Sequence, residues 1–308
     1  MATMIRDTID FSSYMEDTDA AHKVRSTADF TDEVIAHFHA PEDQKGQFLP
    51  WPKTQHLFRF RPGEVTLWNG MNGHGKSLAL GMVSMSLVAQ RQQVCIASME
   101  MKPAVTLARI CRQTHMKPMP SPEFIRDFHD ATNRRLWLYD QQGTVKADKM
   151  LAVVRYCADK LKVSHFVIDS LMKMGIPEDD YTRQKQFIDS LTATARDHNI
   201  HIHLVAHAKK GPDESKAPGK YDVKGSGAIT DQVDNVLTVW RNKAKERAMA
   251  EGGPHEPRDP DALLICDKQR NGEWEGKVSL WFDPASQQFM GSGICGPMDL
   301  LATEDKET

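Results

Sequence analysis

The amino-acid sequence predicts an α/β protein with a mostly parallel central sheet, antiparallel edge strands and a short N-terminal helical arm. The first observation is that short apolar stretches alternate with amphipathic stretches from residue 64 onward. Alternating strands and helices form parallel sheets with helices on both faces, because each helix returns the chain to the edge where the next strand begins. The predicted strands are 64–68, 93–98, 136–139, 165–169 and 200–206, and the predicted helices are 76–91, 103–114, 147–161 and 183–197.

The second observation is a later group of strands with no helix pattern between its last two members. These predicted strands are 235–241, 262–267 and 277–282. The polar stretch 243–261, between the first two, predicts a helix followed by a loop. Strands that follow one another directly pair antiparallel, so we expect this group at one edge of the sheet.

The third observation is an amphipathic segment at 28–40, with Thr31 as a candidate helix cap. Its apolar face consists of Phe30, Val34, Ile35 and Phe38. A short helix ahead of the main sheet is typical of an arm that docks on another surface. We therefore expect an N-terminal arm and linker helix at 1–47, a main domain at 48–291 and an acidic flexible tail at 292–308.

Composition is typical of a soluble globular protein, with 308 residues of which 40% are hydrophobic and 26% charged. The net charge of −3 excludes a protein that coats nucleic acid by bulk charge, but it permits a local basic loop. The 5 scattered cysteines form no C-x-x-C pair and predict buried thiols rather than a zinc site or disulfides. Because no apolar run is long enough for a bilayer, we expect no membrane partner and a cytoplasmic location. We expect this location in a bacterial cell, and the sequence leaves open whether the protein is encoded by a phage or a plasmid.

Residues 70–77 read GMNGHGKS and match the phosphate-binding pattern G-x-x-x-x-G-K-[ST], between a predicted strand and a predicted helix. In this pattern, glycines let backbone N–H groups curl around phosphate oxygens, the lysine reaches the terminal phosphates and the serine binds Mg²⁺. The alternative is a plain glycine-rich turn, whereas a dinucleotide-binding fingerprint is excluded by its different glycine spacing. The predicted nucleotide-binding residues are Gly70, Asn72, Gly73, His74, Gly75, Lys76 and Ser77.

Three polar residues follow predicted strands, and each can serve the phosphate loop. Asp169 ends an apolar strand and can hold Mg²⁺ with the loop serine. Glu100 follows the neighbouring strand and can orient and deprotonate an attacking water. His207 can contact a γ-phosphate, whereas His201 and His203 alternate with apolar residues and are predicted to be structural. The alternatives are ordinary polar strand ends and a helix cap.

A lysine-rich loop follows His207, and a charged strand tip lies further along the chain. The loop has a mild basic excess that suits a nucleic-acid backbone, although most lysine-rich loops are solvated linkers. Its predicted nucleic-acid-binding residues are Lys209, Lys210, Lys216, Lys220 and Lys224. Lys268 and Arg270, at the strand tip, could complete a neighbouring subunit's phosphate site, but spacing alone favours a hairpin with charged shoulders.

Taken in order, these motifs resemble the RecA-like motor domain of hexameric replicative helicases of the DnaB type, and most closely the Twinkle and phage primase–helicase branch. The similarity covers residues 48–290 and rests on five ordered segments. The segments are GMNGHGKS (70–77), SMEM (98–101), FVIDSL (166–171), HLVAHAKK with DVKGSGAITDQVDNVL (203–237) and CDKQRNGEWEG (266–276). The histidine at position 207 favours the Twinkle and phage branch, since the DnaB branch has glutamine there.

The resemblance implies a RecA-like P-loop NTPase that uses ATP or a dNTP together with Mg²⁺. The implied catalytic residues are Lys76, Glu100, His207, Lys268 and Arg270, and the implied metal ligands are Ser77 and Asp169. Lys268 and Arg270 match a pair that acts in trans on the adjacent subunit's nucleotide. Arg241 and Phe282 lie where the Twinkle and phage branch sandwiches the nucleotide base.

The resemblance also implies partners: a homo-oligomer, expected as a hexameric ring, that threads single-stranded DNA and unwinds duplex DNA in the 5′ to 3′ direction. Relatives carry a primase, primase-like or helical N-terminal domain, whereas only residues 1–47 precede the motor here, so we expect a separate primase and polymerase. One alternative is a RecA-like recombinase or recombination mediator that assembles on DNA without unwinding it. Another is a loader or initiation ATPase, which the late strands disfavour.

Overall fold

Ten strands form one sheet in the computed structural model, which describes residues 4–5, 26–41, 45–209, 216–225 and 227–301. The strands are β1 (Met4–Ile5), β2 (Gln47–Phe48), β3 (Arg59–Phe60), β4 (Val65–Asn69), β5 (Val94–Ser98), β6 (Leu136–Tyr139), β7 (His165–Asp169), β8 (His201–Val205), β9 (Asn235–Arg241), β10 (Ala262–Gln269), β11 (Gly276–Asp283) and β12 (Gln288–Met290). The helices are α1 (Thr31–His39), α2 (Lys76–Ala89), α3 (Pro103–His115), α4 (Pro122–Thr132), α5 (Ala147–Leu161), α6 (Tyr181–Asp197), α7 (Ala228–Gln232) and α8 (Lys243–Glu251).

The order of strands in the sheet is β1-β6-β5-β7-β8-β4-β9-β10-β11-β12, while β2 and β3 pair with each other. Every neighbouring pair from β1 to β9 is parallel, and the pairs from β9 to β12 are antiparallel. The central strands β4, β5, β7 and β8 are buried throughout, as strands covered on both faces must be. The predicted parallel sheet with antiparallel edge strands is therefore confirmed.

Helices pack on both faces of the sheet and close two hydrophobic cores. On one face, Met82 of α2, Ile110 of α3 and Phe128 of α4 are buried together. On the other face, Met150 of α5 and Phe187 of α6 belong to the second core. This arrangement leaves the carboxyl ends of the parallel strands, and the loops that follow them, free to form a site.

Several elements depart from the sequence prediction. The helix α4 and the short strands β1, β2, β3 and β12 were not predicted, while α8 lies within the polar stretch predicted to contain a helix. A cap signal for α4 was present, because the Ser121 side chain accepts a hydrogen bond from the backbone N–H of Phe124 and Pro122 follows at the first helical position. Phe128 and Thr132 are the buried residues of this helix.

The predicted helix of the N-terminal arm is present as α1, but its cap is not Thr31. The N-cap is Phe30, and the Thr31 hydroxyl instead donates to the carbonyl of Ala28 at 2.8 Å. Ser26 caps the short 3-10 helix that leads into α1. The cap prediction was wrong because this extra turn moves the helix start backward along the chain. The apolar residues Val34, Ile35 and Phe38 of α1 are exposed.

Three buried histidines from β7 and β8 lie side by side, and two of them, His165 and His203, are hydrogen-bonded to each other. The Trp68 indole N–H donates to Nδ1 of His203 at 3.2 Å, so His203 carries its proton on Nε2 and donates to Nδ1 of His165 at 3.2 Å. His165 in turn donates to the side-chain oxygen of Gln47 at 3.1 Å. His201 lies beside them, with ring centroids 4.7 Å from His203. The prediction that His201 and His203 are structural agrees with this geometry.

This cluster predicts a loss of stability in mild acid. Burial lowers the pKa of His201 to about 4 and holds the pKa values of His165 and His203 well below their ordinary value. Unfolded histidines protonate at about pH 6.5, so the neutral cluster contributes fully above that pH and less as the pH falls toward about 4. We expect each histidine to cost roughly 1 kcal/mol of unfolding free energy by about pH 5.5.

Urea denaturation between about pH 7.5 and 5 measures this effect. A His201→Gln variant should show a shallower dependence of the unfolding free energy on pH than the wild type. Equal slopes for wild type and His201→Gln would contradict the assignment.

Candidate nucleotide site

The loop at residues 70–75 joins β4 to α2 and has the backbone shape that only glycines allow. Gly70 has φ +148°, and a Cβ there would lie 2.4 Å from the carbonyl oxygen of Val239 on β9. Gly75 has φ +89°, and a Cβ there would lie 2.7 Å from the ring of Phe289. Substitution at either position is blocked both by conformation and by space. The predicted strand, loop and helix context of the motif is therefore present.

Lys76, at the start of α2, is buried inside this loop. Its ammonium donates to the carbonyl oxygens of Gly70 at 2.7 Å and Met71 at 3.0 Å. Burial lowers the pKa of Lys76 to about 8, while the carboxylates of Asp169 and Glu100 act in the opposite direction. A desolvated cation that is bound mainly by neutral carbonyls would be strongly stabilised by phosphate oxygens.

Ser77, at the start of α2 after β4, and Asp169, at the end of β7, lie together, as expected because β4 and β7 are parallel strands of one sheet. The Ser77 hydroxyl donates to Oδ2 of Asp169 at 2.8 Å. Burial raises the pKa of Asp169, and the hydrogen bond from Ser77 lowers it in part. A hydroxyl and a buried carboxylate beside a phosphate loop are the donor set that binds Mg²⁺ together with phosphate oxygens and water. These two residues therefore fit the predicted metal site.

Glu100 and His207 line the same site from the tips of β5 and β8. The nearest His207 nitrogen lies 3.8 Å from Oε1 of Glu100, and the other lies 3.4 Å from the Lys76 ammonium. The Ser170 hydroxyl donates to Glu100 at 3.2 Å and orients the carboxylate. Burial and the Lys76 charge lower the pKa of His207, so this imidazole is neutral at pH 7. Of the predicted catalytic residues, Lys76, Glu100 and His207 are thus gathered around one phosphate loop.

His74 connects the phosphate loop to the end of β9. Its Nδ1 accepts a hydrogen bond of 3.0 Å from the backbone N–H of Arg241. The Arg241 guanidinium stacks on Phe282 with 3.9 Å between its central carbon and the ring centroid, and it also pairs with Glu246 at 3.3 Å. Arg241 and Phe282 are therefore adjacent, as expected for a base-binding pair, but they contact each other and leave no space for a base between them.

A cavity of about 410 Å³ opens beside this pair, between the phosphate loop and α8. It is lined by Asn72, His74, Lys243, Glu246, Arg247 and Ala250. The α8 residues were not predicted as part of the site. Their only sequence signal was that the polar stretch 243–261 begins directly after Arg241 at the strand tip.

The lysine-rich loop is fixed at its base to the nucleotide site. The backbone N–H of Ala208 donates to the carbonyl of Gly70 at 3.0 Å, and the side chain of Asn69 donates to the carbonyl of Gly219 at 3.4 Å. Lys209 and Lys216 are exposed. Lys220 and Lys224 are half-buried, and Lys224 pairs with Glu178 at 2.7 Å. Lys210 lies outside the described residues, as do 211–215 and Ser226.

Lys268 and Arg270 lie at the opposite edge of the sheet from the phosphate loop. β10 runs antiparallel to β9, so that Ala262 pairs with Arg241 at the loop edge while Gln269 pairs with Asn235 at the far edge. The Lys268 ammonium donates to three backbone carbonyls at the end of α7, those of Thr230, Asp231 and Val233.

Arg270 contacts the same region but is more accessible. It pairs with Asp234 at 3.4 Å, and its side chain remains 44% exposed. Its position excludes a role at its own subunit's phosphate loop and is compatible with a role at a neighbour's. Lys268, by contrast, is held by the end of α7 within its own subunit.

Comparison with known proteins then decides the family. The family described as DnaB-like helicase C-terminal domain matches residues 55–291. The chain belongs to this family.

The curated relatives of this DnaB-like domain include one Twinkle protein and one DnaB protein. The chain is 24% identical over 244 residues to the Twinkle homolog protein, chloroplastic/mitochondrial, of Arabidopsis thaliana, covering 71% of this chain and 34% of that protein. It is 25% identical over 250 residues to the replicative DNA helicase DnaB of Treponema pallidum (strain Nichols), covering 75% of this chain and 52% of that protein. The chain therefore spans only a third to a half of the length of these curated relatives.

Two solved structures share the fold of this DnaB-like domain. One, an isolated ATPase domain, has a TM-score of 0.70 and 16% identity, with 89% of this chain and 99% of that chain covered. The other, a DnaB-like replicative helicase described with its interactions with primase, has a TM-score of 0.68 and 14% identity, with 87% and 67% covered. The predicted RecA-like fold of the DnaB type is confirmed.

No helix in the ranges that the structure describes combines the length and the apolar character that a membrane span requires. Within the same ranges, no three His, Cys, Asp or Glu side chains are grouped as a metal cage. A Mg²⁺ ion that takes most of its ligands from phosphate and water needs no such cage, which agrees with the Ser77 and Asp169 pair.

Proposed function

We propose that this chain is the motor of a replicative DNA helicase that couples hydrolysis of ATP or a dNTP to movement on single-stranded DNA. The observation that supports the proposal is that residues which the family resemblance assigns to one hydrolytic site lie far apart within the chain. The phosphate loop, Asp169, Glu100 and His207 lie at one edge of the sheet, while Arg270 lies at the other. Such a division makes hydrolysis depend on a neighbouring copy.

Within one subunit, we propose a step of hydrolysis for each group, and the contacts between the groups support it. Lys76 binds the terminal phosphates, and their negative charge keeps the Lys76 amine protonated. Glu100, oriented by Ser170, accepts a proton from the attacking water. Neutral His207, between Lys76 and Glu100, donates a hydrogen bond to the γ-phosphate and loses that partner after hydrolysis.

Ser77 and Asp169 are the residues that would hold Mg²⁺. When bound, the ion neutralises charge on the β- and γ-phosphate oxygens. Asp169 supports this role because burial raises its pKa, and a nearby cation favours the charged form of a buried carboxylate. The cavity beside α8 is the proposed place of the nucleotide base, and Arg241, stacked on Phe282, pairs with Glu246 of the cavity wall.

Between subunits, we propose a closed ring, hexameric as in the family that the sequence resembles. Arg270 completes the neighbour's phosphate site, and Lys268 stabilises the end of α7 within its own subunit. The exposed face of α1 supports a docking role for the arm at 1–47 on a neighbouring motor domain at 48–291. The prediction of a flexible tail at 292–308 does not hold for Met298 and Leu300, because the Gln288 side chain bonds the backbone of Met298 and Leu300 is buried, while 302–308 lie outside the described residues. A primase and a polymerase would be separate partners, and 5′ to 3′ movement rests on the family resemblance.

The lysine-rich loop is proposed to grip the phosphate backbone of single-stranded DNA. Each lysine that contacts a phosphate releases a counterion, so its removal should lower the slope of log Kd against log salt by about 0.7. We expect this reduction for Lys216→Gln and for Lys209→Gln, measured by fluorescence anisotropy between about 50 and 200 mM salt. Lys117→Gln is the control, because Lys117 is an exposed lysine in the turn before α4. Unchanged slopes for the loop variants would indicate a solvated linker.

The proposed function is tested by a forked DNA substrate with a 5′ tail. Nucleotide-dependent release of the labelled strand, by a protein whose mass in nucleotide corresponds to a ring, is the expected result. Hydrolysis that single strands stimulate without any strand release would favour a RecA-like recombinase or mediator. A chain that neither binds single strands nor hydrolyses nucleotide would refute both hypotheses.

A further inference from the structure

Tyr221 extends from the lysine-rich loop as an aromatic side chain that is 81% exposed. It lies in the middle of a short 3-10 helix at Lys220–Asp222. This turn is fixed on both sides, since the backbone N–H of Gly219 donates to the Asp222 carboxylate at 2.8 Å and Val223 is buried. The ring is therefore presented to solvent by a well-ordered turn and does not pack on the core.

One ammonium group lies over the ring, and other lysines of the same loop are exposed. The Lys220 ammonium lies 5.5 Å from the ring centroid, within the range of a cation–π contact. Lys209 and Lys216, in the same loop, are exposed. An aromatic face beside ammonium groups is the combination that binds single-stranded nucleic acid, because the charges hold the phosphates while a base stacks on the ring.

We propose that Tyr221 is a stacking site for a nucleobase of single-stranded DNA. This inference rests on the proposed function and adds to it a contact with the bases themselves. Stacking on a tyrosine face is tolerant of sequence, since every base has a π-face. The site therefore suits a motor that must move along any sequence.

Two backbone hydrogen bonds tie this stacking site to the γ-phosphate contact. The N–H of Lys209 donates to the carbonyl of Asp222 at 2.7 Å, and the N–H of Lys224 donates to the carbonyl of His207 at 2.7 Å. The turn that carries Tyr221 is thus paired directly with the strand tip that carries His207. A shift of His207 on loss of the γ-phosphate would move the ring with it, so the base contact would change with the nucleotide state.

The test compares a fluorescein-labelled oligothymidylate with an abasic strand of equal length, both in the presence of a non-hydrolysable ATP analogue. Wild-type protein should bind the base-bearing strand about tenfold more tightly than the abasic strand. Tyr221→Ala should lose this preference by binding the base-bearing strand more weakly, whereas Tyr221→Phe should keep it. The salt slope should be the same for Tyr221→Ala and wild type, because a neutral ring releases no counterion, while Lys220→Gln should lower it.

The other outcomes contradict either the stacking site or the proposed function. If wild type binds both strands equally, or if Tyr221→Ala weakens both strands by the same factor, Tyr221 is not a stacking site. If wild type binds neither strand, the proposed function itself fails and the stacking site fails with it. Circular dichroism and thermal unfolding of Tyr221→Ala, expected to match wild type for such an exposed residue, show that a loss of preference does not come from misfolding.

Discussion

Replacement of Arg270 by alanine is expected to abolish nucleotide hydrolysis while nucleotide binding is largely retained. Arg270 lies at the sheet edge opposite the phosphate loop, so it cannot reach the nucleotide of its own subunit. A guanidinium donated across a subunit interface stabilises the charge of the transition state and contributes about 10³-fold or more to turnover. Steady-state hydrolysis and equilibrium binding of a fluorescent nucleotide measure the two effects separately.

A mixing experiment distinguishes action in trans from a local role. Arg270→Ala subunits keep Lys76, and Lys76→Ala subunits keep Arg270. Mixed rings therefore contain some interfaces with both residues, and activity should reappear on mixing two inactive proteins. Arg196→Ala is the control and should keep normal turnover. Arg196 also pairs with Asp234, at 3.6 Å, but it lies on the helix α6. Normal turnover by Arg270→Ala, or no recovery on mixing, would contradict the assignment.

The parts of the fold that follow local patterns could be predicted from the sequence. The buried strands around the phosphate loop are continuous apolar runs, and α3, α5 and α6 are amphipathic while α2 is largely buried. Their alternation with the strands predicts a parallel sheet. The carboxyl ends of parallel strands lie on the same side of a sheet. Ser77, which follows β4 and the phosphate loop, and Asp169, which ends β7, could therefore be placed together from the sequence alone. The strand β12, with three residues, is too short to give a periodic signal.

The parts that depend on non-local contacts could not be predicted. The register between β9 and β10 shifts between Cys266 and Lys268, and such an irregularity breaks the alternation that says which way Lys268 points. The contact of Lys268 with the end of α7 depends on this register shift. Likewise, the stacking of Arg241 on Phe282 joins two strands that are not neighbours in the sheet. Sequence reasoning also treated the lysine-rich loop as a source of charge alone and overlooked Tyr221.

Replacement of Glu100 by glutamine tests the chemical step within one subunit. Glutamine keeps the size of the side chain and an oxygen that can accept the 3.2 Å hydrogen bond from Ser170, so the geometry of the site should persist. The variant lacks a group that accepts a proton from water, and loss of a general base lowers turnover by about 10²- to 10⁴-fold. We expect kcat to fall by this factor while nucleotide affinity changes little.

The same experiment separates a base from a metal ligand. Asp169→Asn should shift the Mg²⁺ concentration for half-maximal turnover upward, because it weakens the site formed with Ser77. Glu100→Gln should leave that concentration unchanged, and so should Glu123→Gln, a surface carboxylate on α4 that should also keep normal turnover. If added Mg²⁺ restored hydrolysis to Glu100→Gln, Glu100 would be a metal-binding residue, and the water would need another base. His207 is poorly suited to replace it, because burial and the Lys76 charge lower its pKa and reduce its affinity for the proton.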